Sequence, residues 1–533
     1  MITIKKIKYY LKKFLLDKND SDFINHNKKI FTKNGKDSDS IVLFELNEVN
    51  VNVIAYSYFA FYLSKKYNAK IYSFFPRIPR GLLKKLIWKY REKFNFKTSK
   101  LFTSFGADRM IIPFLSDQML IETEEIFSEK IDLIKTKENL EELNIFDITF
   151  GDLIYDYYLT YYKESEIDIL SDKFKNHLRY CIQLIVYWNR SLCTNNVKAV
   201  SVSHTVYSNA IPIRIAIEMG IPSFQTTSND IYRLSKKRRF AYTEFKDFRR
   251  MFSLLSKEKQ NAGIEEAKKR VESRFLGDVG VDMSYSKKSA FGEKLDFRLI
   301  KKSSKIKILV APHCFFDSPH PFGNNLFPDV LEWLKQLVQI SEKTDYDWYV
   351  KTHPDFIKET KEVVEKFFKN HRQFTILPSN SSHNQIIDEG VNFALTMYGT
   401  IGFEYAAKNK PVINASLNNP HIAYDFNINP KSREEYIEIL MNLNDVRHPI
   451  NINDVYEYYY MKHLYSSKSW LFKNYSEMIE ILGGESKLLT SSVFYYWIEN
   501  WSQYRHNEIL SNLESFIDSG DYKFDLNQLT RKP

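Results

Sequence analysis

The stretch Asn392–Asn414, NFALTMYGTIGFEYAAKNKPVIN, decides the fold. Asn392 to Met397 is a short apolar run, Ile401 to Asn409 carries apolar residues at helical spacing, and Pro411 to Asn414 returns as a second apolar run. Two such runs with a helix between them predict parallel strands, buried on both faces and joined by a right-handed crossover. The alternation extends toward the N-terminus, with strands at Lys305–Ala311, Asp347–Lys351 and Phe374–Leu377. Helices are predicted over Phe327–Ser341, Lys358–Asn370 and Ser382–Asp388. The second half is therefore a doubly wound α/β domain.

A first strand–helix–strand unit spans Ile41–Leu46, Val49–Tyr67 and Lys70–Phe74. Another runs from Ala199–Ser203 through a helix near Ser208–Met219, with Gly220 as its stop, to Pro222–Gln225. Residues 110–195 read as mostly helical, and the charged, weakly patterned stretch Ser256–Ser304 marks a junction. The expected divisions are a basic lead-in at 1–40, a first Rossmann-like domain at 41–300, a second at 301–430, and a helical, Tyr-rich region at 431–533.

Composition narrows the function classes. The chain has 533 residues, 44% of them hydrophobic and 27% charged, which suits a globular protein of two or three domains. Three scattered cysteines, Cys181, Cys193 and Cys314, support neither a disulfide framework nor a zinc site and fit a reducing compartment. No window approaches the roughly 20 apolar residues of a membrane span, and no secretory signal is recognisable; a cytoplasmic location is expected. The net charge of +10 is concentrated in Lys5, Lys6, Lys8, Lys12 and Lys13, in Arg77–Lys100, and in Lys236–Arg239. With Ile7, Tyr10, Leu11, Phe14 and Leu15 interleaved, the first segment is either an amphipathic helix for an anionic membrane surface or a solvated helix on its own protein. No zinc-finger spacing, RNP signature or helix-turn-helix organises these charges toward nucleic acid.

In open α/β sheets ligands bind beyond the carboxyl ends of the strands. Those loops in the second half carry His313 and Asp317-Ser318-Pro319-His320, then Lys351-Thr352-His353-Pro354, then Ser379–His383. Tyr398-Gly399-Thr400 and Asn418-Asn419-Pro420-His421 complete the set. Gly399 and Gly402 would let a ligand approach the backbone, and Thr400 would either cap the following helix or bond a phosphate oxygen. Glu404 would meet the hydroxyls of a ribose. His353, fixed by Pro354, would bond a phosphate or protonate a leaving group. In the first half Glu48, which follows the strand Ile41–Leu46, and His204, which follows Ala199–Ser203, are candidate bases; Glu45 could face either side.

Lys351-Thr352-His353-Pro354, Gly399-Thr400-Ile401-Gly402-Phe403-Glu404-Tyr405-Ala406 and Lys410-Pro411-Val412-Ile413 together resemble bacterial capsule and surface-polysaccharide glycosyltransferases. These have the GT-B fold, with capsule Kdo transferases among their relatives. Ala311-Pro312-His313, Asp317–His320 and Asn419–His421 share the resemblance, which covers roughly residues 305–440. It implies two Rossmann-like domains facing a cleft, with helical N- and C-terminal extensions. It also implies a nucleotide sugar, CMP- or UDP-linked, on the second domain, an acceptor glycan or lipid-linked glycan on the first, and no catalytic metal or other cofactor. Lys351, Thr352, Pro354, Gly399, Thr400, Gly402, Glu404, Asp317, His320, Asn419 and His421 would then bind the donor; His353, Glu48 and His204 would be catalytic. A glycerophosphotransferase using CDP-glycerol, whose family also carries a His-Pro turn, is the enzymatic alternative. A catalytically silent polysaccharide-assembly protein of the same fold is the third possibility.

Overall fold

The computed structural model describes residues 15–31, 38–79, 97–283, 286–323, 325–355, 357–466 and 469–526. The basic segment from Lys5 to Phe14 and most of the Arg77–Lys100 run lie outside the described residues.

Two sheets, one mainly and one wholly parallel, organise the chain. The first contains β1 (Ser40–Glu45), β2 (Lys70–Phe74), β3 (Ala107–Ile111), β6 (Asn196–Val202), β7 (Ser223–Thr226) and β8 (Ile231–Leu234), in the order β3-β2-β1-β6-β7-β8. All neighbours are parallel except β7 and β8. A small antiparallel hairpin, β4 (Asn144–Ile145) and β5 (Ile148–Thr149), stands apart. The second sheet, wholly parallel, has the order β11-β10-β9-β12-β13, built from β9 (Lys307–Val310), β10 (Asp347–Val350), β11 (Phe374–Ile376), β12 (Phe393–Thr396) and β13 (Val412–Asn414). Both orders reverse direction once, as in Rossmann-like domains. The reversal falls between β1 and β6 in the first sheet and between β9 and β12 in the second.

Every residue of β1 is buried, because helices cover both faces. The helix Asn50–Tyr67 is itself buried nearly all round. One side meets the sheet. The other meets the C-terminal helices Ser492–Glu499 and Gln503–Ser519, so that Val42, Phe44 and Phe59 share a core with Phe494, Trp497, Leu513 and Phe516. The chain end also lengthens the sheet edge: Arg233 N bonds Tyr522 O at 2.8 Å and Phe524 N bonds Ile231 O at 2.9 Å. The helical region after residue 469 thus packs back on the first domain.

The stretch Ser256–Ser304 contains a regular helix, Lys257–Phe275, capped by Ser256. Its buried stripe is narrow, Gly263, Ala267 and Val271 among charged residues, which is a weak helical pattern. Through Ala267 and Val271 it joins a core with Phe403, Tyr424, Val455 and Tyr458 of the second half. Of the basic run Lys236–Arg239, three members are ion-paired: Lys236 and Arg239 with Glu218, and Arg238 with Asp247. No described helix is long and apolar enough to cross a membrane.

Candidate functional site

Strand β10 delivers Lys351 to the carboxyl edge of the second sheet. Its side chain is 2% exposed, and its Nζ has no hydrogen-bond partner among the described residues. Burial lowers its pKa to about 8; nearby Glu404 opposes that effect and Lys361 adds to it. His353 follows in the same turn, its Nδ1 accepting from Asp355 N at 3.1 Å. In the neutral ring the proton therefore sits on Nε2. Burial first, then the charge of Lys351, lowers the pKa of His353. The same two causes, with His353 added, push His383 well below its usual value; its Nδ1 meets Tyr405 Oη at 2.8 Å. Burial also takes His313 down to about 4, with Asp317 opposing and His353 contributing.

Glu404 is a buried carboxylate in this group, and Arg274, from the end of the helix Lys257–Phe275, is ion-paired with it. The hydroxyls of Ser381 and Ser382, buried in the loop after β11, have no partners among the described residues. Lys361 reaches Ser379 Oγ at 3.3 Å. Lys351, Lys361, Arg274 and His353 thus share one region with the buried Glu404 and, beside His353, the half-buried Asp355. Arg274 and Lys361 were not foreseen, since neither lies in a strand-end loop.

Beside β12 the glycines have packing roles. A Cβ on Gly399 would lie 2.9 Å from Thr396 Oγ1 and 3.1 Å from His313 Nε2. On Gly402 it would lie 2.4 Å from His421 Cε1 and 2.5 Å from His421 Nδ1. Gly402 therefore makes room for His421, a fully buried ring lowered to about 3 by burial, with Lys462 and His463 adding to the shift. Gly402→Ala is expected to cost about 1–3 kcal/mol by overpacking, measurable as a fall in the urea midpoint. Thr400 is exposed and makes no side-chain cap bond. The amides of Gly402, Phe403 and Glu404 already donate to Gly399 O or Thr400 O, at 3.0, 3.1 and 3.2 Å. The turn's own bonds leave the Thr400 and Ile401 amides, a smaller set than the expected first-turn cradle.

Other candidates have different surroundings. Both nitrogens of His320 are taken by first-domain carboxylates, Nδ1 by Asp156 at 2.6 Å and Nε2 by Glu141 at 2.7 Å. Asp317 accepts from Tyr207 Oη, across the same junction. Asn419 donates to Ser416 O at 3.2 Å and Asn429 Oδ1 at 2.9 Å and accepts from His421 N at 3.0 Å, so its side chain braces its own loop. Thr352 is buried beside Lys351, and Pro354 ends the turn.

In the first domain Glu48 is exposed, accepts from Thr98 Oγ1 at 3.2 Å and lines a cavity with Leu16, Lys97 and Leu489. The carboxylate next to His204 is instead Glu45, at the end of β1. It accepts from Ser203 N at 2.6 Å, Ser203 Oγ at 2.8 Å and Asn209 Nδ2 at 2.6 Å. Ser203 Oγ lies 2.7 Å from His204 Nδ1.

No family model and no curated protein matches the sequence. Among solved structures the chain is similar to the KpsC beta Kdo 2,4 transferase of Thermosulfurimonas dismutans, with 11% identity, TM-score 0.31, and coverage of 49% of this chain and 79% of that one. It is also similar to the UDP-GlcNAc 2-epimerase of Neisseria meningitidis bound to UDP-GlcNAc, with 11% identity, TM-score 0.21, and coverage of 78% and 97%. A glycosyltransferase of Rickettsia africae aligns at 11% identity and TM-score 0.21 over 89% of this chain and 99% of that one. These superpositions are loose.

Proposed function

We propose that the protein is a glycosyltransferase that moves a sugar from a nucleotide-activated donor to a hydroxyl of a cell-surface glycan or its lipid-linked precursor. One observation carries the proposal: the Lys351 ammonium is buried with no hydrogen-bond partner among the described residues, in the region of Lys361, Arg274 and His353. Burying a charge without a hydrogen-bonded partner is costly, and a lysine whose pKa is lowered first by burial and further by Lys361, at the carboxyl edge of a Rossmann-like sheet, makes a site suited to phosphate. Lys351 supplies the charge. His353 stays neutral near pH 7 and donates from Nε2, so it stabilises the departing phosphate by hydrogen bonding rather than by protonating it. Glu404, held by Arg274, balances the cluster without cancelling it.

The acceptor oxygen bonds to the anomeric carbon while the nucleotide phosphate leaves with the electron pair. CDP-glycerol would present the same phosphate chemistry, so the donor is identified by experiment. A thermal-shift screen with CMP, UDP, GDP and CDP is expected to show one preferred nucleotide, since a ligand of the native state stabilises by RT ln(1 + [L]/Kd). A flat response to all four at millimolar concentration would sink the donor-site assignment. Transfer from the matching nucleotide sugar, against CDP-glycerol, then separates the two transfer reactions.

A further inference from the structure

The ends of β1 and β6 flank the reversal point of the first sheet, where α/β sheets open a binding crevice. Glu45 closes β1 and is 3% exposed; Ser203 and His204 follow β6, with Ser203 buried and His204 exposed. The loop they begin reaches the second domain. Tyr207, held at a φ of 59° that is rare for an aromatic residue, donates its hydroxyl to Asp317 after β9. His204 thus stands at the junction of the two domains.

The donors and acceptors fix the protons. Glu45 receives two obligate donors, Ser203 N and the Asn209 amide, one on each oxygen, and so is set up as a carboxylate. The single Ser203 hydroxyl proton points to Glu45, at 2.8 Å from Oε2 and 2.9 Å from Oε1. The 2.7 Å contact between Ser203 Oγ and His204 Nδ1 is then made by a proton on Nδ1. That tautomer leaves the Nε2 lone pair facing outward as a base.

We propose that Glu45, Ser203 and His204 form a proton relay that activates the hydroxyl of a sugar or polyol acceptor. This rests on the transferase reading above. As the acceptor oxygen bonds to the anomeric carbon, its proton passes to His204 Nε2. The Nδ1 proton passes to Ser203 Oγ, and the serine's own proton passes to Glu45. The imidazole ends neutral, and Glu45 ends as a carboxylic acid. Burial raises the pKa of Glu45, which matches a group that takes up a proton. His204 is the catalytic base; Ser203 and Glu45 act through it as positioning and relay residues.

Nitrogen NMR of protein labelled in its histidine rings tests the geometry without any substrate. His204, assigned by the signal missing from His204→Asn, is expected as the Nδ1–H tautomer, with Ser203→Ala shifting it toward Nε2–H. A wild-type Nε2–H tautomer overturns the relay. In transfer assays with the nucleotide sugar identified above, Glu45→Gln and Ser203→Ala are expected to lose about 100-fold in kcat, whereas Ser203→Thr keeps the rate within about tenfold. Wild-type rates in Ser203→Ala also overturn it. Should Glu45→Gln fail to fold, the serine pair carries the comparison. Calorimetry with the free nucleotide reads the donor site separately, so loss of nucleotide binding counts against the transferase reading and leaves the tautomer result to judge the relay.

Discussion

Replacing Lys351 with methionine is expected to abolish nucleotide binding while making the ligand-free protein more stable. Methionine keeps most of the apolar stem and removes a charge that has no hydrogen-bond partner among the described residues. The pKa falls from 10.5 to about 8, which corresponds to about 3 kcal/mol against the charged form in the native state. Because the native pKa is depressed, the cost is present in full below pH 8. It is relieved as pH rises from about 8 toward the unfolded value near 10.5. Wild-type stability should therefore gain over that window from this group, and Lys351→Met should lack the gain while starting higher at pH 7. The melting temperature of the variant is expected to rise by a few degrees. Binding should weaken by about 100-fold or more, because a charge-assisted contact to a phosphate is lost. A phosphate beside Lys351 would also restore its proton, so binding at pH 8 should take up about half a proton. Calorimetry in buffers of different ionisation enthalpy measures that uptake. Unchanged affinity in Lys351→Met, or zero proton uptake, would remove the lysine from the site.

The sequence showed the second sheet almost strand by strand, because strands covered on both faces must be continuous apolar runs. Trp348, Tyr349 and Val350, or Phe393, Ala394 and Leu395, leave little choice. Strand β3, Ala-Asp-Arg-Met-Ile, escaped notice because an edge strand buries only part of itself and its polar residues resemble a loop. The helix Lys257–Phe275 was hidden for the same reason: its buried stripe is Gly, Ala and Val among charges. Strand-end loops could be identified from sequence, and with them Lys351 and His353. Which carboxylate faces His204 could not be read, since period-2 alternation carries no information in a strand buried at every position. Arg274 meets Glu404 only through folding across separate elements. The partners of His320 were equally out of reach: the ring lies in a strand-end loop, and the carboxylates it meets belong to the other domain.

Replacing His320 with glutamine is expected to cost about 3–5 kcal/mol, the range found when one partner of a buried ion pair is removed. The ring sits between Asp156 and Glu141, and Ser318 Oγ donates to the other oxygen of Asp156. Without the imidazole, Asp156 keeps Ser318 but loses its countercharge in a fully buried position. Burial disfavours the charged ring, but the two carboxylates overcome it and hold the pKa well above 6.5. The sign follows from that direction. Stability from this group is complete below the unfolded pKa of about 6.5 and is lost as pH rises through the native value. This is opposite to the trend expected from Lys351, so the two variants separate the contributions in one series of urea titrations from pH 6 to 10. His320→Gln should flatten the alkaline loss, and Lys351→Met should flatten the alkaline gain. Nearby, Tyr155 donates to Asp329, and Lys137 bonds Glu332 at 2.7 Å and Asp329 at 3.3 Å. The junction therefore keeps some contact without His320, and proteolysis between the domains should accelerate before global unfolding does. A His320→Gln protein as stable as wild type at pH 6 would mean that the ring is neutral and that the carboxylates hold each other apart without it.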